Sequence, residues 1–173
     1  TLAGILSGLK GRKYEDSVIA RVHFIAGRQT EPKGSPKPGL EIKKEHEKSM
    51  QVVCRAVQEK ECGMMEVLLF LHHAPVETAN RSDEKVCQPH LTEHSAWQCF
   101  SAADIEAFVK AAGDTNTIHT GPDAVVPGLL LLQEILRQRP ARDINLRFFQ
   151  AARAEEELFW LQETPQMVTI YSK

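Results

Sequence analysis

The segment GLLLLQEILRQ, residues 128–138, limits the folds open to this chain more than any other stretch. Pro127 stands before it, where a proline suits the first turn of a helix, and Pro140 closes it. Leu129, Leu130, Leu131, Leu132, Ile135 and Leu136 leave such a helix apolar on nearly every side. A helix of that kind must be enclosed, because water on any face would meet hydrocarbon. Lipid is not the expected enclosure. The longest apolar stretch, residues 124–132, is broken by Pro127 and Gly128 and is far shorter than the roughly 20 residues that span a bilayer.

The rest of the chain offers strands to do the enclosing. Residues 144–150, 157–163 and 167–171 read as three strands after the helix, and residues 18–26 as one well before it, rich in β-branched and aromatic types. Residues 50–57 and 64–72, with a turn at 59–63, read as an antiparallel hairpin. Residues 1–11 read as a short helix with Leu2, Ile5, Leu6 and Leu9 on one face and Gly11 as terminator. Ser101, with Asp104 three positions on, reads as the capped start of another helix, whose stripe is Ile105, Phe108, Val109 and Ala112 and whose end is Gly113. Residues 29–39, rich in proline and glycine, read as a loop, and the charge run 41–48 as a solvated turn or short helix. The polar stretch 74–93 reads as a boundary. The fold class is therefore α+β, with an antiparallel sheet around a buried helix.

Composition narrows the functions. A formal net charge of −2 disfavours nucleic acid as a partner, since phosphate binding calls for a basic excess. No charged stretch precedes the apolar residues of TLAGILSGLKGRK, so they do not read as a secretory signal, and no membrane association is expected. Cys54, Cys62, Cys87 and Cys99 have no paired zinc-type spacing, and the expected setting is reducing and cytoplasmic.

The segment with chemical capacity joins the two helices: GDTNTIHTGPDAVVPG, residues 113–128. Asp114 and His119 lie close together in an irregular loop that can turn both toward one point. An imidazole changes charge near neutrality and can accept or donate a proton there. Asp114 can orient it or hold a water. Asn116 offers a neutral amide able to pin the loop or a substrate oxygen. Gly128 opens the buried helix, where free N–H groups and the helix dipole favour a developing negative charge, as acyl transfer or enolate formation requires. Taken singly, each residue has an ordinary explanation in turn chemistry or helix initiation. Their order and spacing together favour a site.

These residues resemble a known family. The string FSAADIEAFVKAAGDTNTIH, residues 100–119, resembles the opening of the MaoC-like (R)-specific enoyl-CoA hydratases: an aromatic residue, a helix with an Asp-Ile start, then a GDxNPxH motif. Gly113, Asp114, Asn116 and His119 match, and Thr117 replaces the family's proline. The downstream part is similar to the β-hydroxyacyl-ACP dehydratases, which place His, Gly and Pro-Gly before an apolar helix. His119, Gly121, Pro127 and Gly128 match it, and Pro122 is out of register. Gln133 stands where that family carries an acid, with Glu134 beside it, so Asp114 is left to supply one. Arg147 and Phe148 resemble the Arg-Phe pair of the strand after the central helix.

The resemblance covers residues 97–173 and implies a hot-dog fold, an antiparallel sheet wrapped round a central helix. Residues 1–80 resemble a partial second copy without the motif, the tail of a central helix followed by strands, so a double hot dog with an abbreviated first repeat is expected. The implied activity is hydration of trans-2-enoyl thioesters, or dehydration of 3-hydroxyacyl thioesters, carried on CoA or acyl carrier protein. Asp114 and His119 would do the acid–base work, with the Gly128 N–H as oxyanion donor and Asn116, Gln133 and Arg147 as substrate-binding residues. No metal or other cofactor is implied, and a homodimer is. Arg137, Arg139, Arg142 and Arg147 cluster near the end of the helix and could meet phosphates, an acidic carrier or only solvent. An acyl-CoA thioesterase using Gln133 or Glu134 on the helix, and a non-catalytic binder of acyl thioesters, are the alternatives.

Overall fold

The computed structural model describes residues 1–10, 14–28, 38–58, 61–71, 95–164 and 167–172. The expected loop 29–39 and boundary 74–93 fall outside these residues, apart from Pro38 and Gly39. In chain order the elements are α1 (Leu2–Leu6), β1 (Val18–Arg28), β2 (Gly39–Glu45), β3 (Ser49–Gln58), β4 (Glu61–Phe70), β5 (Ser95–Cys99), α2 (Ala102–Ala112), α3 (Gly128–Gln138), β6 (Asp143–Arg147), β7 (Glu157–Thr164) and β8 (Met167–Ser172). The antiparallel strands make a five-stranded sheet, β2-β3-β4-β1-β6, and a three-stranded sheet, β5-β7-β8. The architecture is mixed α+β.

Both sheets use α3. Leu129 and Leu132 enter the core of the five-stranded sheet beside Val22, Met50, Val52 and Val67, while Leu130 and Leu131 enter a second core with Phe100, Ile105 and Leu158. Each of these leucines is at least nine-tenths buried, and each such burial contributes about 2 kcal/mol. The all-round apolar helix exists because it serves two cores on opposite sides. It ends at Gln138, and Arg139 at its C-terminus takes extended ψ ahead of Pro140, as a residue before proline prefers.

The strands follow their alternation. Val22 on β1, Met50, Val52 and Cys54 on β3, and Met65, Val67 and Leu69 on β4 face the core, while Arg21, His23, Gln51 and Glu66 occupy the other face. Burial pushes the Cys54 thiol up to about 11, which makes it an inert core residue. Strand β6, from the chain after α3, hydrogen-bonds to β1, so one sheet draws on both ends of the sequence. Among the described residues no helix is long and apolar enough to cross a membrane.

Three expectations are corrected. The charge run 41–48 is largely strand β2, neither turn nor helix. It is an edge strand, where charged side chains are tolerated and discourage edge-to-edge pairing, and Glu41 is fixed across the pair by Arg55 at 2.8 Å. That guanidinium, with Lys43, holds the Glu41 carboxyl below its ordinary range. The first helix stops at Leu6, well short of residue 11: the Ser7 hydroxyl turns back to the Gly4 carbonyl and Gly8 follows, both unfavourable to further helix. The strand expected over 144–150 ends at Arg147, and Phe148 onward leaves the sheet to line a cavity.

Candidate active site

Helix α2 aims the first functional residue. Its start carries the full capping box between Ser101 and Asp104, and its end is Gly113 at φ 68°, a left-handed conformation that glycine adopts without strain. Gly113 N–H donates to Lys110 O and Asp114 N–H to Val109 O, the two bonds of a Schellman turn. Asp114 thus leaves the helix in a fixed direction. Its Oδ1 accepts the Asn116 N–H at 3.0 Å, an Asx turn that leaves Oδ2 for other work.

Asn116 clamps the loop. Its Nδ2 donates to Ser17 O at 2.7 Å, and its Oδ1 accepts the Asp16 N–H at 3.2 Å and the Ile118 N–H at 3.4 Å. Thr117, in the place of the family's proline, donates its hydroxyl to Asp16 Oδ1 at 2.9 Å. The loop is therefore pinned to the residues that lead into β1. Asp16 itself sits at φ 62°, an uncommon conformation for a non-glycine residue, and these bonds hold it there.

A single 3-10 turn, Thr117–His119, presents the imidazole. His119 Nδ1 lies 2.7 Å from Val125 O; a carbonyl only accepts, so Nδ1 carries the hydrogen. That bond fixes the ring and leaves Nε2 facing Asp114 Oδ2 at 3.8 Å. The separation is too long for a direct hydrogen bond, yet one oxygen atom can lie within about 2.8 Å of both atoms. The His119 side chain is 9% exposed and that of Asp114 31%, so the pair is sheltered and still reachable.

Gly128 completes the group. Pro127 O takes the N–H groups of Leu130 and Leu131, and the Gly128 N–H has no acceptor among the described residues. A β-carbon at position 128 would stand 3.1 Å from Cζ of Phe148, so the glycine lets that ring lie against the start of the helix.

Asp114, Asn116, His119 and Gly128 line one cavity of about 710 Å³. The same lining includes apolar side chains: Leu6 and Leu9 from the N-terminal residues, Phe108 of α2, Leu69 of β4 and Leu129 of α3. The Ser7 hydroxyl shares its one hydrogen between Gly4 O at 2.9 Å and Ala112 O at 2.6 Å, and so ties the residues after α1 to the end of α2, one position before the Gly113 turn. A bulge in β1 leaves Ala20 without a partner on β4 and turns both Ile19 and Ala20 to the cavity wall.

The remaining sequence candidates lie elsewhere. Gln133 is exposed on α3 and Arg147 is exposed at the end of β6; neither lines the cavity. Glu134 is mostly buried but accepts Arg137 at 2.7 and 2.9 Å and Gln138 at 2.7 Å. The bond from Arg137 holds its carboxyl below the ordinary range. Sequence reasoning missed Asp16 and Ser17, which clamp the loop, Phe148 against Gly128, and the roof made by the N-terminal residues. The resemblance named Phe148 but not its contact with Gly128, and the apolar stripe of residues 1–11 did not name what it covers.

No protein-family model matches the sequence, and none of the curated proteins matches it in sequence. In structure the chain is similar to HtdX from Mycobacterium tuberculosis, with a TM-score of 0.58 over 99% of this chain and 78% of that one, at 14% identity. At that identity the likeness is one of fold, and together with the two antiparallel sheets packed on α3 it supports a hot-dog-type architecture for this chain.

Proposed function

We propose that the protein is a hydratase or dehydratase acting on trans-2-enoyl and 3-hydroxyacyl thioesters. The observation that carries this reading is the meeting of three groups in one half-apolar cavity. Asp114 Oδ2 and His119 Nε2 stand 3.8 Å apart, a separation that one oxygen atom can bridge, and the helix-start N–H of Gly128 has no acceptor among the described residues. The likeness in fold to HtdX and the motif resemblance agree with it.

In hydration, a water sits between the two side chains. His119 Nε2 takes its proton as the oxygen bonds to the substrate's β-carbon. The electron pair of the double bond moves toward the thioester carbonyl, whose oxygen gathers charge beside the Gly128 N–H. The α-carbon then takes a proton back from the Asp114–His119 pair, and both side chains return to their starting state. Dehydration runs the same steps in reverse. The Val125 carbonyl keeps the Nε2 lone pair directed at the water, and Asn116 keeps the loop in place. The chemistry consumes no cofactor. The apolar part of the cavity lining suits an acyl chain. The reading includes a homodimer, which size-exclusion chromatography with light scattering measures.

The thioesterase alternative lacks its helix carboxylate in the cavity: Glu134 is held by Arg137 and Gln138, and Gln133 faces solvent. The test is loss of enoyl absorbance with crotonyl-CoA and longer trans-2-enoyl-CoAs, run beside Asp114→Ala and His119→Ala. Turnover that needs both residues is the expected result. Thiol release from saturated acyl-CoA without hydration would replace this reading with a thioesterase. Silence with every thioester, with binding intact, would replace it with a non-catalytic binder.

A further inference from the structure

Phe148 is held from three directions. Its N–H donates to Ala20 O at 3.0 Å, which carries the β1–β6 pairing one residue past Arg147. Its half-buried ring packs against both cores, that of the five-stranded sheet and that around Leu130 and Leu158. The ring also lies on Gly128: a β-carbon there would stand 3.1, 3.3 and 3.4 Å from Cζ, Cε2 and Cε1. Three neighbouring ring atoms at nearly equal distance place the glycine over the flat of the ring. Beyond the ring's edge, Cζ would be much closer than the other two.

This contact explains the glycine. Positive φ occurs at Gly39, Gly113 and Gly121 and not at Gly128, so the backbone conformation does not call for glycine at the start of α3. The ring does, because it fills the space that a side chain would take. Phe148 lines the cavity together with Gly128, Asp114 and His119. The Gly128 N–H has neither a side-chain cap nor a backbone acceptor among the described residues. A carbonyl bonded to that N–H inside the cavity therefore has the ring for a neighbour, and an apolar wall gives a competing water little to bond to.

We infer that Phe148 is a positioning residue of the proposed reaction: its ring walls one side of the helix start and so holds the thioester carbonyl on the Gly128 N–H. The inference rests on the hydratase reading, in which that N–H meets the charge gathering on the thioester oxygen. Without the wall the carbonyl can turn off the donor and water can replace it. A ring needed for packing alone could give way to another apolar side chain without loss of rate per folded molecule.

Infrared spectra of butyryl-CoA, isotope-labelled at its carbonyl carbon, test this on the whole chain; the acyl group is saturated and cannot be hydrated. Bound to the wild type, the carbonyl should give one band at lower frequency than in water, because a hydrogen bond weakens C=O. In Phe148→Leu and Phe148→Ala a second band should appear at the frequency of the free thioester. The crotonyl-CoA kcat per folded molecule should fall about tenfold in the first and nearer a hundredfold in the second, as small misplacements of reacting groups do. KM should change by less than about threefold, since the lost interaction belongs to the transition state. Phe148→Leu keeps an apolar side chain between the two cores, so it reads the effect if Phe148→Ala folds poorly. Gly128→Ala should itself lower kcat about tenfold by displacing the ring, and should add little in the Phe148→Ala background, where the methyl group has room. A carbonyl band equally shifted in wild type and both variants, an unchanged kcat in them, or additive losses at positions 128 and 148 overturns the inference and leaves the hydratase reading to Asp114 and His119. An unshifted band in the wild type removes Gly128 as the donor, and the inference falls with it.

Discussion

The polar and the apolar parts of the cavity lining, called here its two ends, are built in opposite ways. At the polar end, Asp114, Asn116, His119 and Gly128 come from fifteen positions of chain, and the bonds that aim Asp114 and His119 are short-range, Asn116 N–H to Asp114 and His119 to Val125, while Asn116 is clamped at long range to Asp16 and Ser17. At the apolar end, Leu6, Leu69, Phe108 and Leu129 meet from four separate regions, and no single bond fixes them. Local geometry sets the chemistry, while tertiary packing sets the shape of what the chemistry meets. Damage to the first should therefore act on turnover, and damage to the second on which substrates bind.

The largest expected effect is at the polar end. Asp114→Asn and His119→Gln keep size and lose proton transfer, so each should lower the hydration kcat by about 10²- to 10⁴-fold with little change in melting temperature. Equal losses in kcat and in stability would mean that the loop had unfolded, and the comparison would fail. Asn116→Ala comes next. It removes the clamp to Ser17 and Asp16 without touching the reacting atoms, so it should cost about 2 kcal/mol of stability and lower kcat by less than either change above. Thermal unfolding beside steady-state kinetics separates the two contributions. At the apolar end, Leu9→Ala should leave crotonyl-CoA kinetics nearly untouched and raise KM for long-chain substrates by about tenfold, as lost methylene contacts do. A fall in crotonyl-CoA kcat instead would show that the roof also positions the reacting groups.

The same division governs what the sequence made legible. The capping box at Ser101, the glycine at 113, the helix start at Gly128 and the doubly buried helix α3 could all be read because each is a short-range pattern. The Asp114–His119 meeting was expected for the same reason. Strand β2 was misread because its pairing with β3, which the structure supplies, outweighs the local preference of a charged run. The roof could not be read, because the Ser7 to Ala112 bond spans 105 positions and no spacing announces it. The Asp16 and Ser17 clamp lies 99 to 101 positions from its partners.

The smallest effect tests whether the two ends of α2 act separately. The Asp104 carboxylate accepts the Ser101 hydroxyl and backbone N–H, and the hydroxyl bond above all holds its pKa below the ordinary value. A depressed carboxylate stabilises the fold at every pH above its unfolded value of about 4, and that stability disappears as pH falls through the lower folded value. Asp104→Ala should therefore lower stability at pH 7 by no more than about 1 kcal/mol, since the cap is exposed to solvent, and the gap to wild type should close toward pH 3. Thermal melts at the two pH values measure it. Hydration per folded molecule should not change at pH 7, because Asp114 is aimed by the Schellman turn at the other end of the helix. If kcat fell with the lost cap, the direction of Asp114 would depend on the whole length of α2. The polar end would then owe its geometry to distant structure, as the apolar end does.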